Sequence, residues 1–417
     1  MYTHTPSASV EPEHAVDSRG ASFLFRRALR VGLLVVSALI LLPSAFLIVG
    51  AFNPQIPYVG GLGSLIWPTL IGPALVLVLA GTLLALGALL LGSRRIAAIV
   101  AGLGVVALVG TSVIFGEQVR TAAAAGVSVT PTVFSAPDIQ PPRPDESVTY
   151  LTDETGASLA LDIYQPNADV EHSAAGAPII VYIHGGGWIG GSPDEVSADL
   201  RWFADQGYWV ISPEYTLATE DRPTWDTAMP QIGCALVWAA KNAAAYGADA
   251  SRIAAWGSSA GGNLAVTTTY AAASGQLKPA CDGELPAVRA VAGEVPAVDP
   301  AYIYDNADPL FGAATRNMVS TYIGGRAEDY PERIRAIQAA TYLSAEAPPT
   351  LLSVSEGDHL VPVQSVRSFV ARASEAGVEI HALYRRWADH AISSVYDYLP
   401  NQTLIQMLLD HFRTNGV

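Results

Sequence analysis

Between Val31 and Ser93 the chain carries no Asp, Glu, Lys or Arg. No other stretch limits so sharply what it can fold into. A charge-free run of this length cannot supply the polar faces of a water-soluble domain, because its helices would be apolar all round. It divides into Val31–Phe52 and Leu65–Leu91, and a third apolar segment, Ile96–Phe115, follows Arg94 and Arg95. Each is close to the ~20 residues a helix needs to cross the hydrocarbon core. A cleaved signal peptide has one apolar core of ~7–15 residues, so three longer ones argue against that reading. The sequence predicts a three-helix transmembrane anchor over residues 31–116, preceded by a polar, disordered tail over residues 1–30.

Orientation follows from the arginines. Arg19, Arg26, Arg27 and Arg30 precede the first span, and Arg94 and Arg95 separate the second from the third. The loop Asn53–Ser64 has no charge. With three spans both clusters fall on one side, which the positive-inside rule makes cytoplasmic. The tail is then cytoplasmic and everything after Phe115 extracytoplasmic. No ionisable residue lies within a span, so the helices read as an anchor rather than an ion path. Residues 117–146 hold Pro131, Pro137, Pro141, Pro142 and Pro144 and read as a linker stiffened by proline. The first 120 residues carry a formal charge of +3 and the remainder −18. An acidic carboxy-terminal part argues against nucleic acid as a partner. No zinc-type Cys/His spacing occurs, and neither a metal nor an organic cofactor is implied.

Residues 147–417 alternate strand and helix. Val148–Leu151 and Leu159–Tyr164 read as an antiparallel pair. Pro178–His184 is β-branched and nearly all apolar, as a strand buried on both faces must be. Tyr208–Ser212, Arg252–Trp256, Ala287–Ala292, Thr350–Ser355 and Glu379–Tyr384 follow the same style. Helical periodicity marks Val196–Gln206, Thr227–Tyr246, Asn263–Ala273, Pro362–Ala376 and Asn401–Thr414. The alternation predicts an α/β domain: a mostly parallel sheet with helices on both faces.

Four pieces in this domain carry chemistry. Gly257-Ser258-Ser259-Ala260-Gly261 fits Gly-x-Ser-x-Gly between a strand and a helix, the context that forces a serine into a sharp, exposed turn. Ser259 needs a base, an orienting acid and oxyanion donors to act as a nucleophile. His184-Gly185-Gly186-Gly187-Trp188 follows a buried strand and leaves backbone amides uncovered. The amides of Gly186, Gly187 and Ala260 are the candidate oxyanion donors, with His184 bracing the loop. Asp358, in Glu356-Gly357-Asp358-His359, ends the strand Thr350–Ser355 and is the candidate acid, with His359 read as a bystander. His390, in Asp389-His390, is the one histidine in the loop after the last strand and is the candidate base. Asp389 is a rival acid, ranked lower because adjacent side chains on a loop rarely meet in the required geometry.

These residues together resemble the α/β-hydrolase superfamily, and within it the hormone-sensitive-lipase-like and BD-FAE-like esterases. The resemblance rests on His184–Trp188, Glu214-Tyr215-Thr216-Leu217, Gly257–Gly262, Gly357–Pro362 and His390, and covers roughly residues 147–417. It implies an α/β-hydrolase fold, the order Ser259, Asp358, His390, and ester hydrolysis through an acyl-enzyme. Ser258 stands where relatives often have aspartate, and Ala391-Ile392 where they often have Gly-Phe. These departures blur the substrate rather than the triad. The substrate would be a small-molecule or lipid ester, with short to medium acyl chains. An amidase or peptidase, an acyltransferase acting on a cell-envelope acceptor, and a non-catalytic membrane scaffold are the alternatives. Tyr302, Tyr304, Phe311, Tyr322 and Tyr342 lie between the sixth and seventh strands. They either line the pocket or pack an insertion onto the sheet. Cys234 and Cys281, outside the cytoplasm and flanking the nucleophile segment, are expected to form a disulfide.

Overall fold

The computed structural model describes residues 18–92, 94–136, 141–153, 155–167 and 176–417. Most of the expected tail, Pro137, His4, His14 and His172 lie outside them. Among the described residues the chain forms two compact units, one within residues 18–45 and 74–111, the other within residues 46–73 and 112–417.

The first unit takes most of three helices: α1 (Ser18–Phe52), α3 (Ile71–Leu90) and α4 (Arg94–Ala124). All three are long and apolar enough to cross a membrane. Small side chains let them approach closely. The Ser37 hydroxyl donates to the Gly81 carbonyl at 2.8 Å. A Cβ on Gly104 would stand 2.5 Å from Thr82 Oγ1 and 3.0 Å from Leu41.

Two sequence expectations need correction here. Residues 18–30 are helical rather than part of a disordered tail. The sequence from Ala21 to Arg30 has neither proline nor glycine to stop the helix, so α1 extends beyond its apolar stretch. The second apolar segment is also broken. A short helix α2 (Val59–Ile66) precedes α3, and Pro68 falls in the turn between them.

The second unit is built on one eight-stranded sheet: β1 (Glu146–Thr152), β2 (Ser158–Tyr164), β3 (Ala177–Ile183), β4 (Trp209–Pro213), β5 (Ala248–Ser258), β6 (Val288–Glu294), β7 (Thr350–Ser355) and β8 (Ile380–Arg385). Their order is β1-β2-β4-β3-β5-β6-β7-β8, with β1–β2 and β2–β4 antiparallel and the rest parallel. The helices are α5 (Ser197–Asp205), α6 (Ala228–Asn242), α7 (Ala260–Ala273), α8 (Pro300–Tyr304), α9 (Gly312–Ile323), α10 (Pro331–Ile337), α11 (Val363–Glu375) and α12 (Leu399–Thr414).

Period-two alternation splits each central strand between two cores. Ile179, Val181, Ile253 and Ala255 join Ile232, Leu264 and Phe369 of α6, α7 and α11 on one face. Ile180, Tyr182, Ala254 and Trp256 join Leu200, Phe203 and Leu408 of α5 and α12 on the other. Apolar residues throughout β3 and from Ile253 to Trp256 of β5 are the consequence of that double burial. Strand order reverses at β3, which has β4 on one side and β5 on the other. Such a switch point opens a crevice at the carboxyl ends of the strands. Cys234 on α6 and Cys281 after α7 are joined by a disulfide.

The expected linker, residues 117–146, is not a free tether over its described part. α4 continues to Ala124, and a 3₁₀ turn covers Pro131–Phe134. Val133 and Ala122 pack on Leu399, and Tyr398 donates its hydroxyl to the Ser135 carbonyl at 2.8 Å. Apolar residues placed between the prolines give this segment something to bury.

Candidate functional site

The serine turn is built by steric necessity. Ser259 has φ 55° and ψ −117°, between the end of β5 and the start of α7. Its amide donates to the Glu294 carbonyl at 2.8 Å, and its carbonyl accepts from Ala297 at 3.1 Å. Both backbone bonds hold a residue in a region L side chains avoid. The flanking glycines leave no room for a side chain. A Cβ on Gly257 would lie 2.2 Å from the Gly261 carbonyl oxygen, and one on Gly261 2.0 Å from that of Ile183.

Gly261→Ala should therefore lower stability by about 3 kcal/mol, because both nearest obstacles are backbone. Thermal melting checks this, and a melting temperature equal to wild type would contradict it.

The glycine loop after β3 sits beside this turn. Gly186 and Gly187 have φ 99° and 61°, open to glycine and strained for other residues. Among the described residues, no backbone carbonyl accepts from the amides of Gly186, Gly187 or Ala260. The loop is braced from behind. The Tyr215 hydroxyl donates to the His184 or Gly185 carbonyl, at 3.1 and 3.2 Å. The Gly185 amide donates to Glu195 at 2.7 Å. The His184 ring stacks on Tyr215, and burial holds its pKa below that of an ordinary histidine.

Three side chains that lie far apart in the sequence meet here. His390 Nε2 is 2.9 Å from Ser259 Oγ, and His390 Nδ1 is 2.8 Å from Asp358 Oδ2. The other Asp358 oxygen accepts from the amides of Leu360 at 2.9 Å and Val361 at 2.8 Å, which fixes the carboxylate. Burial disfavours the charged form of His390, but the Asp358 carboxylate, joined by Asp389 and Glu294, more than offsets it and the pKa rises. A neutral imidazole oriented this way can accept the serine proton. The cavity at this point is about 350 Å³. Ser259, His390, Gly186, Gly187 and Ala260 line it, with Ala297, Ile303, Met318 and Val361 as apolar wall.

The aromatic residues between β6 and β7 are not in that wall. Tyr322 is buried against Trp188, their rings stacked 4.8 Å apart, while Tyr304 and Tyr342 are buried in the core. These three pack the insertion, whereas Tyr302 is exposed and Phe311 is half-buried, its ring 6.2 Å from that of His359. Glu294, at the end of β6, does line the cavity, and burial pushes its carboxyl pKa up. Its position beside the nucleophile strand was the only sequence signal for it.

His359, read from sequence as a bystander, is bonded on every polar side. Its Nδ1 is 2.6 Å from Asp389 Oδ2, and its Nε2 is 2.8 Å from the Pro54 carbonyl oxygen. Ser64 donates to the same Asp389 oxygen at 2.6 Å. Asp389 thus faces His359 rather than its neighbour's ring, and the two Asp-His dipeptides pair crosswise. That repeat was the signal in the sequence. Nothing in the sequence pointed to Ser64 or Pro54. Among the described residues no cluster of His, Cys, Asp and Glu could hold a metal.

Comparison with known proteins follows the geometry. The chain is 28% identical to the esterase LipQ of Mycobacterium tuberculosis over 205 residues, 48% of this chain and 47% of that one. It is 29% identical to LipC, another esterase of that organism, over 199 residues, 47% of this chain and 48% of that one. The chain thus spans about half the length of these curated relatives. Esterase 2 of Thermogutta terrifontis with bound propionate superposes with a TM-score of 0.52 at 23% identity, over 65% of this chain and 94% of that one. That likeness carries the fold alone, and the fold is that of the α/β-hydrolases. The BD-FAE family model matches residues 161–372, which reach from β2 to α11 and hold the glycine loop, Ser259 and Asp358. Matched over just over half of its length, the chain belongs to the BD-FAE family of α/β-hydrolases.

Proposed function

We propose that the chain is a membrane-anchored serine hydrolase that cleaves carboxylic esters through an acyl-enzyme. One observation carries the reading: His390 lies in line between Ser259 and Asp358, at 2.9 and 2.8 Å. His390 takes the Ser259 proton as Oγ bonds to the ester carbonyl carbon. Asp358 orients the ring and stabilises the imidazolium. The amides of Gly186, Gly187 and Ala260 hold the oxyanion. Removing one such donor typically costs ~10²–10³ in rate. His390 then protonates the leaving alkoxide, and water, deprotonated by the same ring, releases the acid and restores Ser259.

The apolar wall and the ~350 Å³ cavity fit short to medium acyl chains. The esterase relatives favour esters over amides. Three apolar helices anchor the enzyme, and the arginines in the amino-terminal parts of α1 and α4 favour a cytoplasmic tail. The catalytic unit then lies outside, where a disulfide between Cys234 and Cys281 persists.

The test uses the full-length protein in detergent. It should hydrolyse p-nitrophenyl acetate and butyrate, turn over the matching anilides far more slowly, and be labelled at Ser259 by a fluorophosphonate. Faster turnover of the anilides would move the assignment to an amidase. No hydrolysis and no label would end the reading.

A further inference from the structure

Asp389 is 1% exposed, and its carboxylate accepts four hydrogen bonds. The amides of His359 and His390 donate to Oδ1 at 3.1 and 2.7 Å. The Ser64 hydroxyl and His359 Nδ1 donate to Oδ2, both at 2.6 Å. On the far side of the same ring, Nε2 meets the Pro54 carbonyl oxygen at 2.8 Å. A carboxylate and a carbonyl only accept. Both ring nitrogens must therefore carry a proton, and His359 is an imidazolium. Burial works against that charge, but Asp389 outweighs it and Asp308, 3.9 Å away, adds to it, so the pKa rises to about 9. The segment from Asn53 to Ile66 brings no charged group of its own.

Pro54 and Ser64 belong to the connection between the first two apolar helices, yet Ser64 ends on Asp389, next to His390, and Pro54 on His359, the partner of Asp389. The Phe52 ring meets Trp387 edge-on at 5.2 Å, and the Thr69 hydroxyl, which donates to the Leu65 carbonyl at 2.8 Å, lies 3.4 Å from the Ala391 carbonyl oxygen. On the other side, Ser355 donates to the Asp389 carbonyl at 2.9 Å. The loop that carries His390 is thus gripped between the sheet and the interhelical connection.

We propose that His359 and Asp389 are positioning residues that make this connection, through Pro54 and Ser64, part of the support aiming His390 at Ser259. The proposal rests on the reading of Ser259 as nucleophile. A reacting group displaced by about 1 Å can lose ~10²-fold in rate, so a clamp one residue from the base acts on turnover rather than on substrate affinity.

The experiment measures kcat and KM of the full-length protein in detergent on p-nitrophenyl butyrate, for wild type, His359→Ala, His359→Gln and Ser64→Ala, from pH 6 to 10. His359→Ala should lower kcat by about 10- to 100-fold with KM nearly unchanged. His359→Gln, which keeps one donor, should recover part of the loss, and Ser64→Ala should fall several-fold. In wild type, kcat should drop as pH rises through about 9, since the clamp needs the protonated ring and loses a donor above its pKa. His359→Gln should lack that alkaline fall. If His359→Gln melts like wild type and keeps both its kcat and its alkaline fall, the proposal is overturned. Should the His359 variants not fold, Ser64→Ala with wild-type kcat overturns it equally. A wild type that cleaves no ester and takes no fluorophosphonate fails both readings. One that does both beside an indifferent His359→Gln fails this one alone.

Discussion

Ser259→Ala should lower kcat/KM for p-nitrophenyl butyrate by about 10⁴- to 10⁶-fold while leaving the melting temperature unchanged. The change is confined to one hydroxyl. The backbone bonds that hold residue 259 run from its amide to Glu294 and from Ala297 to its carbonyl, and alanine keeps both. What remains is the cavity and the free amides of Gly186, Gly187 and Ala260. These account for residual catalysis above the uncatalysed rate. Covalent labelling by a fluorophosphonate should disappear with the hydroxyl. Activity within tenfold of wild type would show that another group attacks the ester.

Asp358→Asn is expected to cost about 10⁴-fold in kcat, with KM little altered. Asparagine can keep the oxygen that accepts from Leu360 and Val361. Its amide nitrogen then faces His390 Nδ1 and donates to it. The ring must adopt the tautomer whose Nε2 carries the proton, and that nitrogen can no longer accept from Ser259. The pH profile should move as well. In wild type the carboxylate raises the His390 pKa, and activity should appear as pH rises through that value. Without the carboxylate the imidazolium loses its stabiliser, so the acid limb should shift to lower pH. A variant with an unmoved limb and near wild-type kcat would remove Asp358 from the mechanism.

Features that constrain the backbone were readable in advance. Gly257 and Gly261 announced a turn into which no side chain fits, and three glycines after β3 announced uncovered amides. Strands buried on both faces showed as unbroken apolar runs. The chain order of Ser259, Asp358 and His390 was enough to group residues that meet within 2.9 Å. Contacts between distant and chemically plain residues were not readable. Ser64 reaches Asp389 across 325 positions and Pro54 reaches His359 across 305, and neither carries a local pattern. His359 reads as a bystander in the sequence, and only the fold shows each aspartate serving the histidine of the other Asp-His dipeptide. The proline-rich segment was read from its prolines. Its Val133 and Phe134, which pack on Leu399 and Phe115, decide its behaviour instead.

The hydroxyl of Ser64 and the carbonyl of Pro54 also bear on how such a protein can be inherited. Anchors and enzymes are commonly treated as interchangeable modules, joined wherever a linker runs between them. Here the seam does not follow the sequence, because two residues ahead of α3 and α4 meet residues 325 and 305 positions further on, beside His390. A recombination that replaced the first 116 residues with another membrane segment would keep every element of the hydrolase fold. It would leave Asp389 and His359 short of their partners. Pro54 and Ser64 are therefore expected to vary together with His359 and Asp389, and the segment that carries them contributes more than its hydrophobicity.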